Sequence, residues 1–255
     1  MTRADDDTQD ALTLSVSDEL VPQPAAKQSE IVTLPFSGFL DPPLRLQTDV
    51  SQCGGQLWSA GMVLADYLIR HDLEALRGKK IIELGAGSGL VGLAIALRLR
   101  QTAPAGHMLP AMPTRIDLTD GLDTLVPMLQ QNISLNFPPE KSSDISINSH
   151  QFSWGEPPNS TLPLEPDVVL AADCSYLEQS FRPLLITLTD LMGPETVLWF
   201  CYEKRRRRDR GCLKMLSKAF HVLPVSGDWE RDDIWLFQVR RSTKKPRIGE
   251  ATSRR

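Results

Sequence analysis

The stretch Glu83-Leu84-Gly85-Ala86-Gly87-Ser88-Gly89 places three glycines between two apolar segments. Residues 80–84 predict a short strand, and residues 90–99 have the apolar spacing of a helix that is buried against a sheet. Glycines permit positive φ, and because they lack a Cβ they let a ligand lie against the backbone. In doubly wound folds the ligand crevice lies at the carboxyl ends of the strands. The stretch therefore predicts a strand, a ligand-binding turn and a helix in succession.

The order of strand and then helix repeats along the chain. Further helices are predicted over residues 61–76, 124–135, 178–192 and 208–220, and further strands over residues 115–119, 144–152, 167–172, 196–202, 222–225 and 234–239. Alternating strands and helices imply parallel βαβ units, whereas two closing strands joined by a loop imply an antiparallel hairpin. The predicted fold class is therefore α/β, with a doubly wound, mostly parallel seven-stranded sheet and an antiparallel final hairpin.

One ordered domain with a charged segment at each end is expected from a chain of 255 residues. Residues 1–30 contain seven acidic and two basic side chains without a sustained period, which predicts a flexible acidic leader. Residues 31–241 form the predicted domain, which opens with an extended stretch and contains a long loop over residues 101–113. The basic residues 242–255 predict a flexible tail.

The composition argues against several classes of protein. No apolar run approaches the ~20 residues of a membrane-spanning helix, and the acidic N-terminus is neither a secretory nor a transit signal. The four cysteines lack metal-site spacing and are expected to be free cytosolic thiols. The net charge of −4 disfavours general nucleic-acid binding, and the basic run over residues 204–210 is either a solvated loop or a surface for an acidic partner. We expect a cytoplasmic monomer without membrane or direct nucleic-acid partners.

The glycine turn has three possible interpretations. Gly87, Gly89 and Gly92 spell the G-x-G-x-x-G pattern of a dinucleotide site, but the first glycine after the strand is Gly85, so that pattern begins two residues late. Glu83 places a carboxylate at the strand end, which suits a ligand with a cationic amino acid moiety better than a pyrophosphate. We therefore expect S-adenosylmethionine, with a dinucleotide or purely structural glycines as the alternatives.

Two aspartates compete for the ribose of such a ligand. Asp120 ends the strand that follows the glycine helix, where a carboxylate can accept hydrogen bonds from ribose hydroxyls. Asp117 lies inside the same strand, where alternation turns it away from the crevice. We assign the ribose to Asp120, and a helix-capping aspartate is the alternative.

Four segments resemble the family of seven-strand methyltransferases that modify lysines in non-histone proteins, of the methyltransferase-like 21 type. These segments are GGQLW at residues 54–58 with Gly61, ELGAGSGLVG at residues 83–92, FSWGE at residues 152–156 and LAADCSYLE at residues 170–178. Within the family the chain is most similar to the fungal enzymes that methylate translation elongation factor 1-alpha. The resemblance covers about residues 54–241 and implies a Rossmann-like class I methyltransferase fold, with a protein lysine as the methyl acceptor.

The resemblance also implies roles for the positions that match. It places Trp58 and Trp154 in the cofactor pocket, with Trp154 against the adenine, although bare tryptophans are usually core residues. Together with the residues discussed above, the predicted cofactor-binding set is Trp58, Glu83, Gly85, Ala86, Gly87, Asp120, Trp154 and Ala172.

Asp173-Cys174-Ser175-Tyr176 matches the family's D-x-x-Y signature, which makes Asp173 and Tyr176 the predicted catalytic residues. A lysine amine has a usual pKa of about 10.4 and reaches the pocket protonated. A carboxylate attracts this ammonium, and an aromatic ring offers it a favourable face. The alternatives are a helix N-cap for Asp173 and packing for Tyr176.

Two rival functions remain open at this point. The fold does not fix the acceptor, so a small molecule or a nucleic acid could take the methyl group. An N-P-P-Y tetrad, which base methylators often carry after the fourth strand, is absent. A non-catalytic binding module is the other rival, and the intact glycines, Glu83 and D-x-x-Y tetrad argue against it.

Overall fold

The apolar segment before the glycine turn is a central strand of a mixed sheet, and the segment after the turn is a helix that packs against this sheet. The structure is a computed structural model that describes residues 29–103, 112–138, 144–158, 160–175, 177–205 and 210–242. The strands are β1 (Ser29–Leu34), β2 (Leu44–Asp49), β3 (Lys80–Leu84), β4 (Thr114–Asp120), β5 (Ile145–Gln151), β6 (Val168–Ala172), β7 (Val197–Glu203), β8 (Phe220–Val225) and β9 (Ile234–Arg241). The helices are α1 (Ser59–His71), α2 (Leu90–Gln101), α3 (Val126–Asn136), α4 (Glu178–Leu191) and α5 (Arg210–Ala219).

Seven of these strands form one sheet in the order β5-β4-β3-β6-β7-β9-β8. Strands β3 to β7 run parallel to one another, whereas β9 runs antiparallel to both β7 and β8. The predicted fold class is confirmed, including the antiparallel closing hairpin. From β3 the chain first adds strands on one side and then crosses to β6 on the other, so a topological switch point lies between β3 and β6.

Each face of the sheet has its own hydrophobic core. Side chains alternate along a strand, so Ile81 of β3 packs with α1 and α2, while Ile82 faces the core under α4 and α5. The same alternation separates Leu170 from Val169 in β6. A strand that is buried on both faces needs a continuous apolar run, and residues 167–172 contain one.

The first two strands form a separate antiparallel hairpin. The sequence predicted only an extended stretch here, and β1 begins at Ser29, so the last two residues of the predicted leader belong to a strand. Helix α3 carries Asn132 and Asn136 one turn apart, and their amides hydrogen-bond the backbone of Gln47 and Arg45 in β2. The hairpin is thereby tied to the α/β unit through side chains rather than through the main sheet.

Most predicted boundaries agree with the structure to within two residues, with one clear exception. The helix predicted over residues 61–76 is divided, because α1 ends at His71 and a separate 3₁₀ turn, Leu73–Leu76, follows. Residues 1–28, 104–111 and 243–255 lie outside the described part, so the leader, most of the long loop and the tail stay predictions. In the described ranges, no helix is both long and apolar enough to cross a membrane.

Candidate active site

A cavity of about 670 Å³ opens at the carboxyl ends of β3, β4 and β6. Its size falls in the range of about 300–1,000 Å³ that is typical of small-molecule sites, and its position is the switch point of the sheet. Asp173 and all eight residues of the predicted cofactor-binding set line it. Tyr176 lies outside the described residues.

The glycine turn forms a cradle of bare backbone along one wall of this cavity. Gly85 has φ 62° and Gly87 has φ 55°, a region that side chains rarely adopt. A Cβ on Gly85 would lie 3.0 Å from the Trp154 ring, and one on Gly87 would overlap the carbonyl oxygen of Gly54. The turn therefore fits between Trp154 and the loop before α1 only because both positions are glycine.

The carboxyl group of Glu83 lies beneath the turn at the N-terminus of α2. It is 3% exposed, and its Oε2 accepts the amide N–H of Gly92 at 2.8 Å. Burial raises the pKa of Glu83 to about 8, although amide hydrogen bonds from Gly92 and Val91 oppose the shift. A cationic group that reached this carboxyl group would favour its ionised form.

The two aspartates of β4 have different surroundings. Asp120 is 8% exposed and lines the cavity, and its carboxylate accepts the amide N–H groups of Gly87 and Leu122. Burial also raises the pKa of Asp120. Asp117 is fully buried outside the cavity, where its carboxylate bonds Arg115 at 2.7 Å and His150 at 3.0 Å. Only Asp120 is placed to meet a ligand.

Both predicted tryptophans line the cavity, but their indole N–H groups differ in hydrogen bonding. The indole nitrogen of Trp58 donates to the carbonyl oxygen of Cys53 at 3.0 Å. The indole N–H of Trp154 is buried and has no hydrogen-bond partner among the described residues. A buried donor without a partner costs free energy. A ligand that offers an acceptor would supply what Trp154 lacks.

Asp173 follows the last residue of β6 in the left-handed region, with φ 55°. Its amide donates to the carbonyl oxygen of Cys201, and its carboxylate accepts the amide N–H of Glu203 at 3.2 Å. The N-cap alternative for Asp173 is wrong, because α4 begins at Glu178 with Leu177 as its cap residue. A left-handed non-glycine residue is strained, and such strain is often found at functional sites.

Arg205 is a cavity residue that the sequence reasoning missed. It was grouped with the basic run and interpreted as part of a solvated loop or a partner surface. In the structure its guanidinium forms a bidentate pair with Asp173 and lies 4.8 Å from the centre of the Trp58 ring. Its position could have indicated a cavity residue, because it lies two residues past β7 and the carboxyl ends of neighbouring parallel strands lie side by side.

The fold and this site define an S-adenosylmethionine-dependent class I methyltransferase. The cofactor fits the residues present. The glycine turn admits a ligand close to its backbone, and the carboxylate of Asp120 can accept hydrogen bonds from ribose hydroxyls. A nitrogen of the adenine ring could accept the hydrogen bond that the indole N–H of Trp154 does not make among the described residues. The dinucleotide alternative is thereby set aside. The chain belongs to the lysine methyltransferase family, whose sequence profile matches residues 40–219. This confirms the resemblance inferred from the sequence motifs and identifies the chain as a lysine methyltransferase.

Several named proteins are similar to this chain. Protein-lysine N-methyltransferase EFM6 of Saccharomyces cerevisiae is 33% identical over 231 residues, which are 82% of this chain and 88% of the relative. Protein N-lysine methyltransferase METTL21A of Mus musculus is 33% identical over 196 residues, 76% of this chain and 82% of the relative. EEF1A lysine methyltransferase 3 of Mus musculus is 31% identical over 169 residues, 66% of this chain and 64% of the relative.

A solved structure supports the fold independently. The 16S rRNA N2 G1207 methyltransferase RsmC of T. Thermophilus, in complex with AdoMet and guanosine, superposes with a TM-score of 0.54 at 13% identity. The match covers 87% of this chain and 52% of that chain. The RsmC structure shows the fold alone, since enzymes on one fold transfer methyl groups to different acceptors.

Proposed function

We propose that this chain methylates a lysine side chain of translation elongation factor 1-alpha, acting as a cytoplasmic monomer. The observation that carries the proposal is the carboxylate of Asp173, which is 9% exposed, lines the cofactor cavity and pairs with a guanidinium that lies 4.8 Å from the centre of the Trp58 ring. A buried carboxylate beside an aromatic face is suited to an organic cation such as a lysine ammonium. The name of the mouse relative, EEF1A lysine methyltransferase 3, supports the choice of substrate.

The proposed division of labour places the cofactor over the glycine turn. Gly85, Ala86 and Gly87 would contact it through their backbone, Asp120 would bind its ribose, and Trp154 would face its adenine. Glu83 would stabilise its cationic amino acid moiety from below. Trp58 and Ala172 would complete the wall of the pocket.

The proposed mechanism begins with a protonated lysine. When bound, S-adenosylmethionine supplies a methyl group on a sulfonium. Asp173 attracts and orients the ammonium, whose usual pKa is about 10.4, so the amine would give one proton to solvent water before its lone pair attacks the methyl group. Tyr176 would provide an aromatic face beside the amine, as the family resemblance implies. Most of the rate should come from alignment of the amine and from exclusion of water.

Labelled methyl transfer tests this function directly. The full chain is incubated with methyl-labelled cofactor and purified elongation factor 1-alpha, with a cell extract as a second acceptor. We expect label in the elongation factor that survives nuclease, is destroyed by protease and maps to lysine by mass spectrometry. Label that nuclease removes would support a nucleic-acid methyltransferase instead. Label on a lysine of another protein would support lysine methylation but would contradict elongation factor 1-alpha as the substrate.

A further inference from the structure

The guanidinium of Arg205 lies where two carboxylates and an aromatic face converge in the cavity. Its Nη2 is 2.8 Å from Asp173 Oδ2 and 2.9 Å from Glu203 Oε2, and its Nη1 is 3.3 Å from Asp173 Oδ1. Its Cζ lies 4.8 Å from the centre of the Trp58 ring. Carboxylates and an aromatic face are the groups that bind an organic cation. The protein's own arginine therefore fills a cation site.

Two of the groups around Arg205, Trp58 and Asp173, are held by bonds that do not involve it. Trp58 is fixed by its hydrogen bond to the carbonyl oxygen of Cys53. Asp173 is fixed through its backbone amide, which donates to β7, and its carboxylate also accepts the amide N–H of Glu203. The site should therefore keep its shape when the arginine leaves. This arrangement favours a displaceable occupant over a support for Asp173.

We propose that Arg205 occupies the position of the acceptor ammonium in the substrate-free protein and is displaced when the acceptor enters. The proposal rests on the proposed function, because it takes the acceptor to be a primary ammonium. Two carboxylates face one guanidinium in this site, so an incoming ammonium restores the same charge balance once Arg205 has moved away. The exchange of one cation for another leaves no carboxylate unpaired.

The displacement also explains how the site selects its acceptor. A neutral hydroxyl or thiol cannot compensate the two carboxylates that Arg205 leaves behind, whereas a lysine ammonium can. Arg205 is thus a specificity-determining residue that competes with the acceptor. As a competitor, it should raise the apparent KM for the acceptor without contributing to the rate of the bound complex.

Binding of n-butylammonium, a mimic of the lysine side chain, tests the proposal without catalysis. Calorimetry on the full chain should show that Arg205→Ala and Arg205→Gln bind this probe about tenfold more tightly than the native chain, because the site no longer has an internal occupant. The native chain and the variants should bind neutral 1-butanol equally weakly. Arg231→Ala is the matched control, since Arg231 forms an exposed ion pair with Asp228. Equal or weaker n-butylammonium binding by both Arg205 variants would overturn the proposal.

Steady-state kinetics with the protein acceptor provide the second test. We expect Arg205→Gln to lower KM by about fivefold to tenfold and to leave kcat within about twofold. A fall in kcat, or a rise in KM, would show that Arg205 positions Asp173, and the displacement idea would be wrong. If tighter n-butylammonium binding occurs but no protein lysine is methylated, the cation site stands and the proposed function fails. If lysine is methylated and neither change is seen, only the role of Arg205 fails.

Discussion

Glu83 is a buried carboxyl group in the wall of the cofactor cavity, and its pKa of about 8 lies close to neutrality. In the free protein this group is therefore mostly protonated below pH 7. If the amino group of the cofactor binds beside it, the ionised form is favoured in the complex, and binding releases a proton. We expect the affinity for S-adenosylmethionine to rise by about tenfold between pH 6 and pH 7.5, where an α-amino group is still largely protonated.

Calorimetry in buffers of different ionisation enthalpy measures that proton release. Glu83→Gln is the control, because it keeps the shape of the side chain and cannot titrate. We expect its affinity for the cofactor to be lower and to vary little over the same pH range. A native chain whose affinity is independent of pH would show that Glu83 does not meet the cationic end of the cofactor.

Asp173 allows the catalytic and the cofactor-binding roles to be separated. Asp173→Asn preserves the size of the side chain but removes the charge that would orient the acceptor ammonium. We expect methyl transfer to fall by about 100-fold or more, with the dissociation constant of the cofactor changed by less than about threefold. Single-turnover transfer and calorimetry measure the two quantities.

The matched control for Asp173 is Asp66→Asn, since Asp66 forms a partly exposed ion pair with Arg70 on α1. We expect this variant to transfer methyl groups at the native rate. Loss of cofactor binding together with transfer in Asp173→Asn would mean that Asp173 belongs to the cofactor site instead.

Among single residues, the sequence correctly predicted those whose position in the cavity follows from their place at the end of a strand. Asp120 could be preferred to Asp117 because alternation along a strand decides which side chain faces the crevice, and the structure places only Asp120 there. Arg205 could not be singled out in the same way. It belongs to a run of similar basic residues, and two of its partners, Asp173 after β6 and Trp58 before α1, are distant in sequence.

Among the elements, the N-terminal hairpin depends on a buried asparagine. Asn132 is fully buried, accepts the amide N–H of Gln47 at 2.7 Å, and donates to the carbonyl oxygens of Gln47 and Ser88. It thereby joins β2 to the glycine turn. Asn132→Ala leaves these backbone groups without a partner, so we expect the free energy of unfolding to fall by about 3 kcal/mol. Urea denaturation monitored by circular dichroism measures the change.

Ser134 gives a matched control on the same helix, because it is exposed and bonds only within α3. Ser134→Ala should change the free energy of unfolding by less than about 0.5 kcal/mol. Equal stabilities for the two variants would contradict the role assigned to Asn132. Because Asn132 also contacts the turn, its alanine variant should bind the cofactor more weakly as well.

The hairpin itself was the element that the sequence did not reveal. Strand β1 lacks a buried, alternating apolar face, and Pro35, Pro42 and Pro43 lie between β1 and β2, so the sequence indicated no more than an extended stretch. The seven strands of the main sheet were all predicted: buried strands such as β6 have continuous apolar runs, whereas β5, which has no buried residue, was signalled only weakly. The sequence did not predict the break in the helix after residue 71, because the helical spacing of apolar residues continues through the break.

For the whole molecule, cofactor binding should stabilise the fold as a unit. The cavity is lined by the glycine turn, the end of β4, the loop before α1 and the segment that contains Trp154, so one ligand would connect them all. A ligand that binds only the native state contributes about 2.7 kcal/mol at 100 times its dissociation constant. For a chain of this size we expect Tm to rise by roughly 5–10 °C.

Thermal unfolding with and without S-adenosylmethionine checks this expectation. Gly87→Ala is an informative companion, because its Cβ would overlap the backbone of Gly54 and should lower both the basal Tm and the ligand-induced shift. An unchanged Tm of the native chain at saturating cofactor would point to a binding module that has lost its ligand.

The family match begins at residue 40, in the connection between β1 and β2. A truncated protein that started there would keep every cavity residue but lose the strand that pairs with β2. Its exposed strand edge would then be open to a second copy of the chain, which is a recognised route to aggregation. Expression of a shortened catalytic core should therefore retain Ser29 and the strand that it begins.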